Sequence, residues 1–147
     1  MTNEVFIRMW SSRRSFSVRA VSSGAQIFRG HGTVKVSTPD CQTVIFEEQG
    51  VWTSSRNSNL SFRNVYRWYF EPESVSLGLA HLRHGWDRPV HLVDFIASAE
   101  GKWQSAAPHV CGADFYTAQV KYLDNELKMS WRIKGPTKRQ QVDFSYY

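Results

Sequence analysis

The sequence is poor in most of the features that announce a function. Its two cysteines, Cys41 and Cys111, have no partner at CxxC spacing, which excludes a zinc ribbon or a thioredoxin-type redox pair. A domain of this size does not need a disulfide, so reduced thiols and an intracellular, cytoplasmic protein are expected. No apolar run approaches the roughly 20 residues that span a bilayer, and no secretory core segment is visible. Five prolines and nine glycines in 147 residues are too few for a disordered or linker-rich chain. No Ser-His-Asp motif, P-loop, dinucleotide fingerprint or HExxH occurs. No stretch carries the sustained 3.6-residue period of a long amphipathic helix.

Aromatic residues, in contrast, are plentiful: nine Phe, six Tyr and six Trp. They suit pleated, half-buried surfaces and large interiors. The length fits one domain over residues 1–147, with 1–13 as an N-terminal extension. Phe6, Met9 and Trp10 lie at helical spacing there, which predicts a short packed helix. The same segment is rich in Arg and Ser, a composition shared with organellar transit peptides.

The net charge of +5 is unevenly placed. Residues 1–20 carry four arginines against one acid, and residues 121–139 carry six basic residues against two acids. Such patches suit nucleic acid, RNA or DNA, or an acidic membrane. The plain alternative is a solvated basic face.

Period-two alternation recurs along the chain. It predicts strands over residues 16–21, 27–36, 44–52, 60–70, 75–82, 90–97, 115–122, 127–134 and 141–147. Polar turns separate them, among them 22–24 and 54–59, and residues 98–108 read as a loop. Asp124-Asn125 joins the seventh and eighth strands in a hairpin. Nine short strands with short connections predict an all-β fold. An antiparallel up-and-down barrel of about 8–10 strands fits best, because closure removes exposed sheet edges.

If the apolar side of each strand faces inward, several polar groups go with it. These are Glu48, Asn64, His81, His91 and Asp114, with the hydroxyls of Tyr66, Tyr116 and Tyr122. Burying such groups costs a few kcal/mol each unless they are paired or wetted. A ligand-binding interior is one resolution, and a closed structural network is the other. The binding reading gives a cavity walled by Phe46, Phe62, Trp68, Met129 and Trp131. Its polar contacts would be Glu48, His91, His109, Asp114 and Tyr116, and its ligand small, partly apolar, and cationic if both acids are ionised.

His109-x-Cys111-x-x-Asp114 is the densest polar cluster. It has too few ligands for a zinc site by itself, so no metal and no cofactor is expected. As an enzyme it would use His109 with Asp114, or Cys111 as nucleophile.

Four blocks in this order resemble one family. They are Phe28-Arg29-Gly30-x-Gly32-x-Val34, then Phe46-x-Glu48-x-Gly50 with Tyr66-x-Trp68, then Arg88-Pro89-x-His91. The fourth is His109-x-Cys111-x-x-Asp114-x-Tyr116 with Trp131-Arg132-Ile133-x-Gly135-Pro136-x-Lys138. The chain resembles domain of unknown function family 6314 over roughly residues 14–147. The resemblance implies a lipocalin-type, calycin-like barrel and carries no activity. Its characteristic positions fall on Glu48, His91, His109, Cys111, Asp114 and Tyr116. The readings are therefore a non-catalytic small-molecule-binding barrel, a nucleic-acid or assembly module using the basic patches, and an enzyme built on the His109 cluster. The ligand-binding set of the first reading is Glu48, Tyr66, Trp68, His91, His109, Cys111, Asp114, Tyr116 and Trp131.

Overall fold

A computed structural model describes residues 1–23, 26–53 and 60–147. Gly24 of the first expected turn and the expected loop at 54–59 lie outside the described residues. The elements are α1 (Asn3–Ser11), β1 (Ser15–Ser22), β2 (Gln26–Asp40), β3 (Thr43–Thr53), β4 (Leu60–Glu71) and β5 (Ser76–His81). They continue as β6 (Val90–Ala99), β7 (Lys102–Ser105), β8 (His109–Cys111), β9 (Asp114–Leu123), β10 (Glu126–Lys134) and β11 (Arg139–Tyr146).

Every strand pairing is antiparallel, and the sheet closes. β11 pairs with β1, the next strands follow in order to β7, β7 pairs with β9, and β9–β10–β11 complete the ring. β8 pairs with β9 beyond the end of β7. The barrel thus has ten staves, the expected up-and-down architecture. The tenth, β7, falls inside the stretch expected to be a loop. It is four residues long and its only large apolar residue is Trp103, so no alternation could develop.

The hairpin turn between β9 and β10 places both Asp124 (φ 53°) and Asn125 (φ 60°) in the left-handed region. Two such residues match the twist of the flanking strands. The turn also holds a clamp. Arg13, buried between α1 and β1, donates from Nη1 to the Asn125 carbonyl at 2.7 Å and from Nη2 to its side-chain oxygen at 3.2 Å.

The short helix forms where its spacing predicts. The Thr2 hydroxyl accepts from the Val5 N–H at 3.2 Å and caps it. Phe6 and Trp10, one turn apart, are fully buried. Trp10 meets Trp68 and Trp103 edge-on, each with centroids 5.9 Å apart, and Phe6 stacks on Phe70 at 5.4 Å. The helix is a plug: it closes one end of the barrel with aromatic rings.

Between β2 and β3 the interior glycines Gly32 and Gly50 face each other in register. A methyl at Gly50 would strike the rings of Phe62 and Phe16 at 2.7 and 2.9 Å. Only hydrogen at that position lets Phe16 and Phe62 meet across the lumen, at 5.8 Å between centroids.

A candidate ligand chamber at the open end

The interior divides lengthwise. Towards α1, Phe46, Trp68, Phe70, Leu79, Phe95 and Met129 are fully buried in one contiguous core. Towards the other end a cavity of about 760 Å³ opens. A shallower groove of about 420 Å³ lies apart from it beside Arg19, Arg132 and Arg139. The larger one is the better candidate, since apolar walls with a few convergent polar groups characterise small-molecule sites.

The cavity is built from strand ends. The first half of β4 supplies Asn64 and Tyr66, and the end of β5 with the residues after it supplies His81 and Arg83. β6 gives Val90 and Leu92, and the β8–β9 hairpin gives His109, Cys111 and Tyr116. β10 and β11 add Trp131 and Phe144. Tyr116 sits edge-on to both His109 (6.0 Å) and Trp131 (6.4 Å), so the aromatic wall is continuous with the imidazole at the rim.

Glu48 lies at the boundary between the solid half and the cavity. It is fully buried and accepts a 2.6 Å hydrogen bond from the Tyr146 hydroxyl and a 3.5 Å one from the Asn64 amide. Burial pushes its pKa up to about 7, against the lowering effect of those two bonds. Burial, with the Glu48 charge added, also holds the hydroxyls of Tyr66 and Tyr146 well above the ordinary tyrosine range. Asn64, bonded to this carboxyl, lines the cavity, whereas Glu48 does not.

At the mouth, His81 is pushed below the ordinary imidazole pKa by partial burial and then by Arg83, His84 and His109. Its Nδ1 is buried with no hydrogen-bond partner among the described residues.

Five of the nine residues singled out in the sequence line the cavity: Tyr66, His109, Cys111, Tyr116 and Trp131. Glu48 sits one hydrogen bond away, through Asn64. Trp68 belongs to the solid half, against Trp10 and Phe46, as do the expected wall residues Phe46 and Met129. Asp114 has the inward phase of β9 but occupies its first position, where its carboxylate lies over Gly135 and away from the cavity.

His91 is a correction. It faces outward, its side chain 60% exposed, with Nε2 3.4 Å from Asp94. A bulge between Leu79/Val93 and Ala80/His91 inserts Leu92, so the phase of β6 reverses there. Of the five polar contacts expected, only His109 and Tyr116 reach the cavity.

Neither Arg63 nor Arg83 is among the residues expected at the cavity, and both line it. Arg83 carries the inward phase of β5 two residues past its end, and extending the alternation beyond His81 would have found it.

The His109 cluster does not assemble. Cys111 and Asp114 face each other across a tight turn with Cys111 exposed, and the described ion pairs are Arg63–Glu47, His91–Asp94 and Lys128–Glu126. No group of three or more His, Cys, Asp or Glu side chains is placed to hold a metal among the described residues. The N-terminal basic patch is partly structural, since Arg13 is buried and Arg14 donates to the Ser11 and Arg13 carbonyls. The other patch sets Lys121 opposite both Lys102 and Lys128 on the outer wall.

These features define a class: a closed, up-and-down antiparallel β-barrel, plugged by a helix at one end and hollow at the other. Residues 6–147 match the model of a family of unknown function, DUF6314, and the chain belongs to that family. The match begins at Phe6 and so takes in most of the plug helix. No curated protein matches the chain in sequence. Among solved structures it is similar to the S-type phycobiliprotein lyase CPES from Guillardia theta. That likeness has a TM-score of 0.65 at 12% identity and covers 99% of this chain and 92% of that one. It is more distantly similar to a redesigned β-barrel, mFAP1, bound to DFHBI, with a TM-score of 0.44 at 8% identity over 95% and 97% of the two chains. No helix among the described residues is long and apolar enough to cross a membrane.

Proposed function

We propose that the protein is a non-catalytic carrier or receptor for one small, partly apolar molecule held in the open half of the barrel. The observation that carries this reading is the contrast in filling. One half of the interior is solid aromatic core, while the other leaves about 760 Å³ between aromatic and aliphatic walls. That volume lies within the roughly 300–1,000 Å³ typical of ligand sites. A barrel of about this strand number holds one small ligand in its lumen. The solved barrel with a TM-score of 0.65 is a phycobiliprotein lyase, and at 12% identity it lends the fold and no ligand.

A catalytic reading has little to stand on. His109, Cys111 and Asp114 are not joined among the described residues, and Glu48, whose pKa burial raises to about 7, lies outside the cavity lining, one hydrogen bond behind Asn64.

The test is a titration with N-phenyl-1-naphthylamine, a neutral apolar fluorophore that brightens on leaving water. Saturable binding at one site is expected. Val142→Trp places an indole in the cavity wall and should weaken binding at least about tenfold while the folded CD spectrum persists. No binding by the wild-type protein, or equal binding by the filled variant, would contradict the reading.

A further inference from the structure

The charge around the chamber is one-sided. Among the residues that line it, Arg63, Arg83, His81 and His109 are basic and none is acidic. Arg63 is shared with Glu47 at 3.4 Å on the outer face. Arg83 is exposed at the mouth and makes no ion pair with a described residue. Its charge reaches inward, since it acts on both His81 and the hydroxyl of Tyr66. His81 and His109 line the same mouth. The rest of the wall is largely apolar, with Leu92, Val90, Trp131, Phe144 and Val142.

Resting on the reading of this cavity as a ligand site, we infer that its ligand is an organic anion. A planar apolar body lies against Trp131, Tyr116 and Phe144, and a carboxylate, sulfonate or phosphate meets Arg83 and His81 at the mouth. A guanidinium offers a forked pair of donors that fits such a group. A cationic ligand, the expectation from Glu48 and Asp114, fares worse. It would pass two guanidiniums on entry and meet neither carboxylate, because Asp114 lies over Gly135, Glu48 lies behind Asn64, and neither acid lines the cavity.

A matched pair of probes separates the two claims. 8-Anilinonaphthalene-1-sulfonate is N-phenyl-1-naphthylamine with a sulfonate added. Both should bind the wild-type protein, the sulfonate more tightly. Arg83→Gln should weaken the sulfonate probe by about tenfold, the worth of one charge-assisted hydrogen-bond pair, and leave the neutral probe within twofold. Val142→Trp should weaken both. If the neutral probe binds but the sulfonate binds no better, or Arg83→Gln moves the two probes equally, the anion assignment is overturned while the chamber stands. If neither probe binds, the chamber reading itself fails and the anion assignment goes with it. Lys121→Gln, on the outer wall, serves as the control for unspecific attraction and should change neither affinity. A loss of sulfonate binding there equal to that of Arg83→Gln would also overturn the assignment.

Discussion

At the end closed by α1, Trp10, Trp68, Trp103, Phe6 and Phe70 lock ring against ring, and each is at least nearly fully buried. At the opposite end the same ring of strands leaves its lumen unfilled and its rim studded with Arg63, Arg83, His81 and His109. Both ends follow one period-two pattern, so the pattern alone does not separate core from chamber. What separates them is the plug. A nine-residue helix supplies two large rings from outside the sheet to one end. Among the described residues no helix serves the other end, and the strand ends there turn polar. Stability and binding should therefore map onto different halves, and substitutions can test that division.

The largest effect is expected at the plug. Trp10→Ala removes a fully buried indole between two others and should cost about 3–5 kcal/mol, read from the urea midpoint. Trp131→Ala, in the chamber wall, should cost clearly less stability but abolish binding of the neutral probe. Equal destabilisation by the two would break the comparison.

Glu48 marks the boundary, and its effect depends on pH. The folded protein keeps the carboxyl proton up to about pH 7, whereas the unfolded chain releases it near its ordinary 4.5. Below the lower value the group costs nothing. Between the two the unfolded state ionises first and folding stability falls, and above pH 7 the full cost is present. That cost is on the order of 3 kcal/mol. Glu48→Gln keeps an acceptor for Tyr146 and cannot ionise. Its stability relative to wild type should rise by this amount between about pH 4 and pH 8 in urea titrations. A pH-independent difference would place the carboxyl in contact with water.

The clamp between plug and turn comes next. Arg13→Met keeps the buried stem but leaves the Asn125 carbonyl without its 2.7 Å donor, and a loss of about 2 kcal/mol is expected in the same assay. The smallest effect is expected at Cys111, exposed and bonded to nothing among the described residues. Cys111→Ser should stay within about 0.5 kcal/mol of wild type. A large loss would reopen the His109 cluster.

Much of the barrel was legible because closure and alternation are periodic properties. Nine staves, the hairpin at Asp124-Asn125 and the helix carrying Phe6 and Trp10 all follow from spacing. β7 was not legible, since four residues with one apolar side chain carry no period. The reversal at His91 did leave a trace. Val90 and Leu92 share one phase, Val93 and Phe95 the other, and two adjacent apolar residues at such a break mark a bulge. Within the candidate site, alternation turned Glu48, Tyr66, Tyr116 and Trp131 inward. It had no means of telling which inward residues meet a solid core and which face open space, because that depends on what lies across the lumen. Trp68 and Trp131 are alike in sequence pattern and differ only in whether the plug helix reaches them. Arg13 left no signal at all, because its acceptors lie more than 100 positions away.

The division of the barrel is tested most directly by amide hydrogen exchange with and without N-phenyl-1-naphthylamine. Added protection should be confined to the open end: the start of β4, the end of β5 through the start of β6, and the β8–β9 hairpin. The amides around α1, Phe70, Trp103 and Leu127 should be unchanged. Protection appearing at the plug, on the outer wall around Lys121, or nowhere would contradict a chamber built on one half of the barrel and a core built on the other.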